Sequence, residues 1–169
     1  MIILGIDPGT ARCGFGVIEK KGNSLKAQTF GVVEADREHS QPERLEIMYV
    51  EISRLIKKYK PDIMAVEKLF FSKNVKTAMS VGEARGVILL CGQLAGVEID
   101  EYTPMQIKTA LTGYGAAEKK QVAQMVKLLL GLKEAPKQDD AADALAAACC
   151  CASCFKMSRI SKNVAGRRE

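Results

Sequence analysis

Four acidic residues stand where a carboxylate is costly unless a cation meets it. Asp7 ends the apolar run Ile2-Ile3-Leu4-Gly5-Ile6, and Glu67 ends the run Ile63-Met64-Ala65-Val66. A charge closing a buried strand must be neutralised, and a divalent cation would do so. Asp140 and Asp143 stand three apart in Asp140-Ala141-Ala142-Asp143, a spacing that puts both carboxylates on one face of a helix. Alanines at 141, 142, 144 and 146–148 would let that helix lie close to a sheet and carry its acids toward the strand ends. Four carboxylates brought together form a hard oxygen site suited to Mg²⁺, with Mn²⁺ as a substitute. Two such ions about 4 Å apart would activate a water and stabilise the leaving oxygen of a phosphodiester.

Each acid also has a plainer role open to it. Asp7 could cap the turn that follows it, and Glu67 could pair with a lysine. Asp139 and Asp140 could serve as a helix N-cap; whether Asp139 joins the site stays open. Asp143 lies past the first turn of an apolar helix, so capping does not account for it. No Ser-His-Asp arrangement is available, because the only histidine, His39, falls in a loop. Phe70 and Phe71 follow Glu67 in a polar loop, where an exposed aromatic can stack on a base for roughly 1–3 kcal/mol. One of the two belongs in the core on this reading, and Phe70 is the expected stacker. Lys119 and Lys120 are adjacent, so on a helix at most one faces the site.

The elements that would position these groups follow from periodicity. Residues 2–7 read as a buried strand, 15–19 as a second strand, and 25–33 as a third after the turn Lys21-Gly22-Asn23-Ser24. Ser40-Gln41-Pro42-Glu43 reads as a capping box with proline in the first turn. A helix carrying Leu45, Met48, Ile52, Leu55, Ile56 and Tyr59 follows, and Pro61 stops it. A short strand reaches Glu67; a helix from about Thr77 to Leu94 ends at Gly96, and Val97 to Tyr102 is a fifth strand. Three helices close the chain: one capped by Thr103, one over 117–130, and an alanine-rich one from Gln138 to about Phe155. The order β-β-β-α-β-α-β-α-α-α argues for one α/β domain with a five-stranded mixed sheet flanked by helices. It is expected to span residues 1–156, with a basic, flexible tail over 157–169.

Composition fits a globular chain, with 47% apolar residues in 169, enough for one ordinary core. No apolar run reaches the roughly 18 residues that span a bilayer, and the start Met1-Ile2-Ile3-Leu4-Gly5 lacks the basic region of a signal peptide. A cytoplasmic location without membrane contact is therefore expected. Net charge is +5, with ten Lys/Arg against six Asp/Glu between Lys68 and Lys137; a basic surface of this kind suits a polyanion. Of six cysteines, Cys149, Cys150, Cys151 and Cys154 are crowded together. The Cys151-x-x-Cys154 pair has no second half for zinc, so these thiols are expected to act as small buried hydrophobes.

Taken together, these residues resemble the RuvC family of Holliday junction resolvases. The likeness runs through Gly5-Ile6-Asp7-Pro8-Gly9-Thr10, Gly14-Phe15-Gly16, Ala65-Val66-Glu67-Lys68-Leu69-Phe70, Lys73-Asn74 and Ala84-Arg85-Gly86-Val87. It continues through Gln106-Ile107-Lys108, Gly113-Tyr114-Gly115-Ala116-Ala117-Glu118-Lys119 and Asp140-Ala141-Ala142-Asp143. The resemblance implies a ribonuclease H-like fold and a homodimer that nicks four-way DNA junctions symmetrically in recombination and repair, with Mg²⁺, two ions per site. It also implies partnership with the RuvA–RuvB branch-migration complex. The resemblance puts the catalytic and metal-binding acids at Asp7, Glu67, Asp140 and Asp143, and the DNA contacts at Phe70, Lys73, Lys108 and Lys119. Two other readings stay open on the residues alone: an RNA-processing nuclease of the same fold, and a nucleic-acid binder with a vestigial site. An actin-like ATPase fragment, suggested by Asp7-Pro8-Gly9-Thr10, conflicts with the short chain.

Overall fold

The apolar N-terminal run forms β1 (Ile2–Asp7), and the chain turns back through β2 (Arg12–Lys21) and β3 (Ser24–Glu34). Helix α1 (Gln41–Tyr59) leads to β4 (Ile63–Glu67), α2 (Val75–Leu94) to β5 (Glu98–Tyr102), and α3 (Pro104–Thr112), α4 (Lys119–Leu130) and α5 (Asp139–Ala165) follow. The structure, a computed structural model, describes residues 1–36, 38–69 and 75–165, with side chains over 1–36, 38–69 and 78–154. Phe70, Phe71 and Lys73 lie outside the described residues, as do 166–169 at the end of the basic tail.

The five strands form one sheet in the order β3-β2-β1-β4-β5. The meander β1-β2-β3 is antiparallel, whereas β1 pairs with β4, and β4 with β5, in parallel. The parallel register sets Ile3 against Ile63 and Gly5 against Ala65. Side chains alternate across a strand, so Ile3, Gly5 and Asp7 share one face of the sheet with Ile63, Ala65 and Glu67. On that face Ile3, Ile18 and Ile63 pack with Ile107 and Leu111 of α3, Val122 and Val126 of α4, and Leu145 of α5. The opposite face buries Leu4, Ile6, Val17, Met64 and Val66 against Met48, Ile52 and Ile56 of α1 and Ile88 and Cys91 of α2. Among the described residues, no helix is long and apolar enough to cross a membrane.

Local signals set the helix ends. The Ser40 N–H donates to the Glu43 carboxylate at 2.6 Å, and α1 closes on Lys60 in the left-handed conformation before Pro61. At α3 the capping box is reciprocal: the Gln106 N–H donates to Thr103 Oγ1 at 3.2 Å, and the Thr103 N–H donates to Gln106 Oε1 at 2.8 Å. Such caps satisfy backbone donors that the first turn leaves unpaired.

Two boundaries differ from the sequence reading. Strand β2 begins at Arg12 rather than at Phe15, so Gly14 and Gly16 lie inside it. A Cβ at Gly14 would meet the backbone of Asp140, and one at Gly16 would meet the Leu145 side chain; these glycines are where α5 presses on the sheet. Helix α5 runs to Ala165, past the expected end near Phe155, and no Gly or Pro interrupts the sequence before Gly166. The crowded cysteines are helical and free, with Cys149, Cys150 and Cys151 buried. Burial pushes the Cys149 and Cys151 thiols up to about 12, which suits small hydrophobes and not reactive thiolates.

Candidate active site

The parallel pairing of β1 with β4 puts Asp7 and Glu67 side by side at the carboxyl edge of the sheet, where open α/β sheets place their sites. Small residues bring α5 across them. Gly5 has Ala144 and Ala148 against it, Gly16 has Leu145, and Gly14 has Asp140. Lying that close, α5 carries Asp143 into the same cleft. A cavity of about 350 Å³ is lined by Asp7, Glu67 and Asp143, by Lys108 and Lys119, and by the apolar wall Pro104, Ile107 and Val122. Both lysines come from the two helices that cap this face, α3 and α4.

Five of the expected site residues therefore converge: Asp7, Glu67, Asp143, Lys108 and Lys119. Asp140 stands one helical turn earlier on α5 and accepts a hydrogen bond from Arg12 Nε at 2.8 Å. Asp139 is the exposed first residue of α5 and is absent from the cavity wall. Of the adjacent lysines, Lys119 reaches the site, donating to Asp143 Oδ2 at 2.9 Å, whereas Lys120 is exposed and off the cavity wall. Arg12 is the site-proximal residue that sequence reasoning missed. Its one signal was position, a cation five residues after Asp7 at the start of the returning strand.

The electrostatics of this cluster are unfavourable as it stands. Burial first, then the carboxylates of Glu67, Asp143 and Asp140, push Asp7 up from 3.8 to about 8; Lys119 offsets this only in part. Burial and then Asp143 push Glu67 up from 4.5 to about 7, against Lys119 and Lys108. Lys119 is raised by its hydrogen bond to Asp143 and so stays protonated at neutral pH. Positive charge is in short supply around Asp7 and Glu67, and their oxygen chemistry fits a hard divalent cation. Among the described residues, no three His, Cys, Asp or Glu side chains stand close enough to hold an ion as they lie. Asp140 and Asp143 are engaged by Arg12 and Lys119. The chemistry of the donor set fits a hard divalent cation.

A stability prediction follows from these shifts. A carboxyl whose folded value lies above its unfolded value makes the folded state bind more protons than the unfolded one. The stabilisation is full below the unfolded values and is lost as pH rises through about 7 and 8. The melting temperature of chelator-treated protein should therefore fall between about pH 5.5 and about pH 8.5, and added Mg²⁺ should restore more at the upper end. A flat profile, equally responsive to Mg²⁺ at both ends, would show that these acids are not held desolvated together.

The mixed five-stranded sheet with its flanking helices is of the ribonuclease H-like class. The family model described as "Crossover junction endodeoxyribonuclease RuvC" matches residues 3–151. The crossover junction endodeoxyribonuclease RuvC of Heliobacterium modesticaldum is 55% identical over 152 residues, covering 90% of this chain and 94% of that protein. The solved structure of Thermus thermophilus RuvC superposes with a TM-score of 0.87 at 38% identity, over 94% of this chain and 97% of that one. The same protein in complex with Holliday junction substrate matches with a TM-score of 0.86 at 35% identity, over 93% and 96% of the two chains. The chain belongs to the RuvC family of crossover junction endodeoxyribonucleases.

Proposed function

We propose that this chain resolves four-way DNA junctions by Mg²⁺-dependent hydrolysis at the Asp7–Glu67–Asp140–Asp143 cluster, nicking two strands symmetrically as a homodimer. The observation that carries this reading is the cleft in which Asp7 and Glu67 lie desolvated beside Asp143, between Lys108 and Lys119. Two Mg²⁺ ions held by the four acids, with Mn²⁺ as a substitute, would lower the pKa of the attacking water and stabilise the leaving oxygen.

The chain's own residues bind, orient and neutralise. Asp7 and Glu67, fixed at strand ends, would hold the cations. Lys119, at the cavity mouth with its side chain 70% exposed, orients Asp143 and offers its protonated Nζ to the scissile phosphate. A lysine held protonated by a carboxylate is a charge stabiliser and not a general base. Lys108 faces the same phosphate from α3. Ile107, Val122 and Pro104 keep one side of the cleft apolar, where charge interactions are stronger than in open water. The net charge of +5 suits the DNA backbone, and Lys73 is assigned by the family likeness to a contact with it.

Two symmetric cuts call for two sites related by a two-fold axis, hence a homodimer. Ala84 and Ile88 of α2 are spent on the core, but Met79, Leu90 and Leu94 of that helix are exposed, which favours α2 as the contact between copies. The reading extends to a cytoplasmic protein working with the RuvA–RuvB branch-migration complex. Phe70, three residues after Glu67, is assigned to stacking on unpaired bases at the crossover. Phe70→Ala should cut the single-turnover nicking rate by roughly tenfold or more, with junction affinity changed far less. Unchanged nicking would remove the stacking role.

The deciding experiment is a nicking assay with Mg²⁺ on a synthetic four-way DNA junction, beside linear duplex, single strand and an RNA–DNA hybrid. Paired nicks confined to the junction support the reading. Cleavage of the hybrid in preference would keep the acids and the fold but move the substrate to RNA.

A further inference from the structure

Arg12 opens β2 and stands opposite Glu34 of β3 in the antiparallel register. Its guanidinium is shared between two acids. Nε donates to Asp140 Oδ2 at 2.8 Å, and Nη1 lies 3.5 Å from Glu34 Oε1. One of these acids belongs to the proposed metal cluster; the other is outside it. Side-chain exposure is 48% for Arg12, 63% for Glu34 and 32% for Asp140. Ion pairs this open to water are weak, so the guanidinium can pass from one acid to the other at little cost. An arginine keeps its charge throughout the working pH range, so its position alone decides which acid it neutralises. Asp7, Glu67 and Asp143 line the cavity, and Asp140, held by Arg12, does not.

We propose that Arg12 is a resident counter-cation for Asp140 that a divalent ion must displace toward Glu34, so that the Asp140 side of the metal cluster fills last and most weakly. The inference rests on the metal-site reading above. In this role Arg12 is a positioning residue that acts through Asp140. Glu34 is the seat that receives it. The arrangement keeps the acids on α5 partly neutralised before metal arrives. It also gives the two sides of the cluster unequal affinity without unequal ligands.

The test is a Mn²⁺ titration of the intact protein without DNA, followed by electron paramagnetic resonance of the free ion, with melting temperatures confirming that each variant folds. The unchanged protein should show a tighter and a weaker class of Mn²⁺. Arg12→Gln should tighten the weaker class by about three- to fivefold and leave the tighter class in place, and Arg12→Lys should stay close to the unchanged protein. Glu34→Gln should loosen the weaker class, and that effect should vanish in the Arg12→Gln background, because Glu34 acts only through the guanidinium. Weaker or unaltered binding in Arg12→Gln would overturn the proposal, as would a Glu34→Gln effect of equal size in both backgrounds or one class of equivalent sites. No Mn²⁺ binding at all by the unchanged protein would instead overturn the metal-site reading on which it rests.

Discussion

Asp7→Asn is expected to reduce junction cleavage by roughly 10³-fold or more while junction binding is kept or tightened. Asp7 is the acid most strongly pushed toward its neutral form, by burial and by the carboxylates of Glu67, Asp143 and Asp140. Asparagine fills the same volume without the charge, so it removes both a metal ligand and a source of repulsion toward phosphates. The same change should raise the melting temperature of the metal-free protein at about pH 8, where the native carboxyl is forced to ionise, and abolish most of the stabilisation by Mg²⁺. Binding and nicking are separable readouts: a filter-binding or mobility assay with chelator present, and single-turnover cleavage with Mg²⁺ present. Loss of binding together with cleavage, accompanied by a lower melting temperature, would assign Asp7 a role in folding and not in catalysis.

What could be seen in the sequence was whatever depends on short-range pattern. Asp7 and Glu67 each close an apolar run, and a costly charge in that position announces a purpose before any contact is known. The Asp140-Ala141-Ala142-Asp143 spacing fixes a shared helix face by geometry alone. The strand and helix order follows from periods and caps such as Ser40–Glu43 and Thr103–Gln106, which act within four residues of themselves. Contacts across long separations were hidden. Arg12 and Asp140 are 128 residues apart, and nothing local marks either as the other's partner. The second strand reads from Phe15, where alternation begins; the reason for Gly14 and Gly16 is the approach of α5, through the Asp140 backbone and the Leu145 side chain, more than a hundred positions away. The division of labour between Lys119 and Lys120 could be narrowed to one of the two, but the choice depends on where α4 docks. The far end of α5 was misjudged because its alanine-rich core ends near Phe155 while helix-compatible residues continue to Ala165.

That close approach of α5 leads to the second large effect. Gly5 sits in the middle of β1, paired with Gly16 on one side and Ala65 on the other, so a lane of small residues crosses three strands under the helix. A Cβ at Gly5 would run into the Ala144 carbonyl oxygen and come within 2.9 Å of the Ala148 Cβ. Neither obstacle is the end of a flexible side chain; both belong to the helix itself, so the helix must move. Gly5→Ala is therefore expected to cost about 1–3 kcal/mol in stability, lowering the melting temperature by several degrees. Its larger effect is on chemistry. Lifting α5 carries Asp140 and Asp143 away from Asp7 and Glu67, and a displacement near 1 Å at a reacting centre can cost roughly 10²-fold in rate. The control is Gly82→Ala on α2, where an added Cβ meets nothing within 4 Å and alanine in a helix is favoured by about 0.5–1 kcal/mol. That variant should melt at or above the temperature of the unchanged protein and keep its Mn²⁺ affinity. Equal behaviour of the two variants would mean that the lane under α5 is not what holds the four acids together. A Gly5→Ala protein that folds, binds junctions and has lost both nicking and most of its Mn²⁺ affinity would show that the glycine's part in the reaction is to let the helix carry its carboxylates within reach of the strand ends.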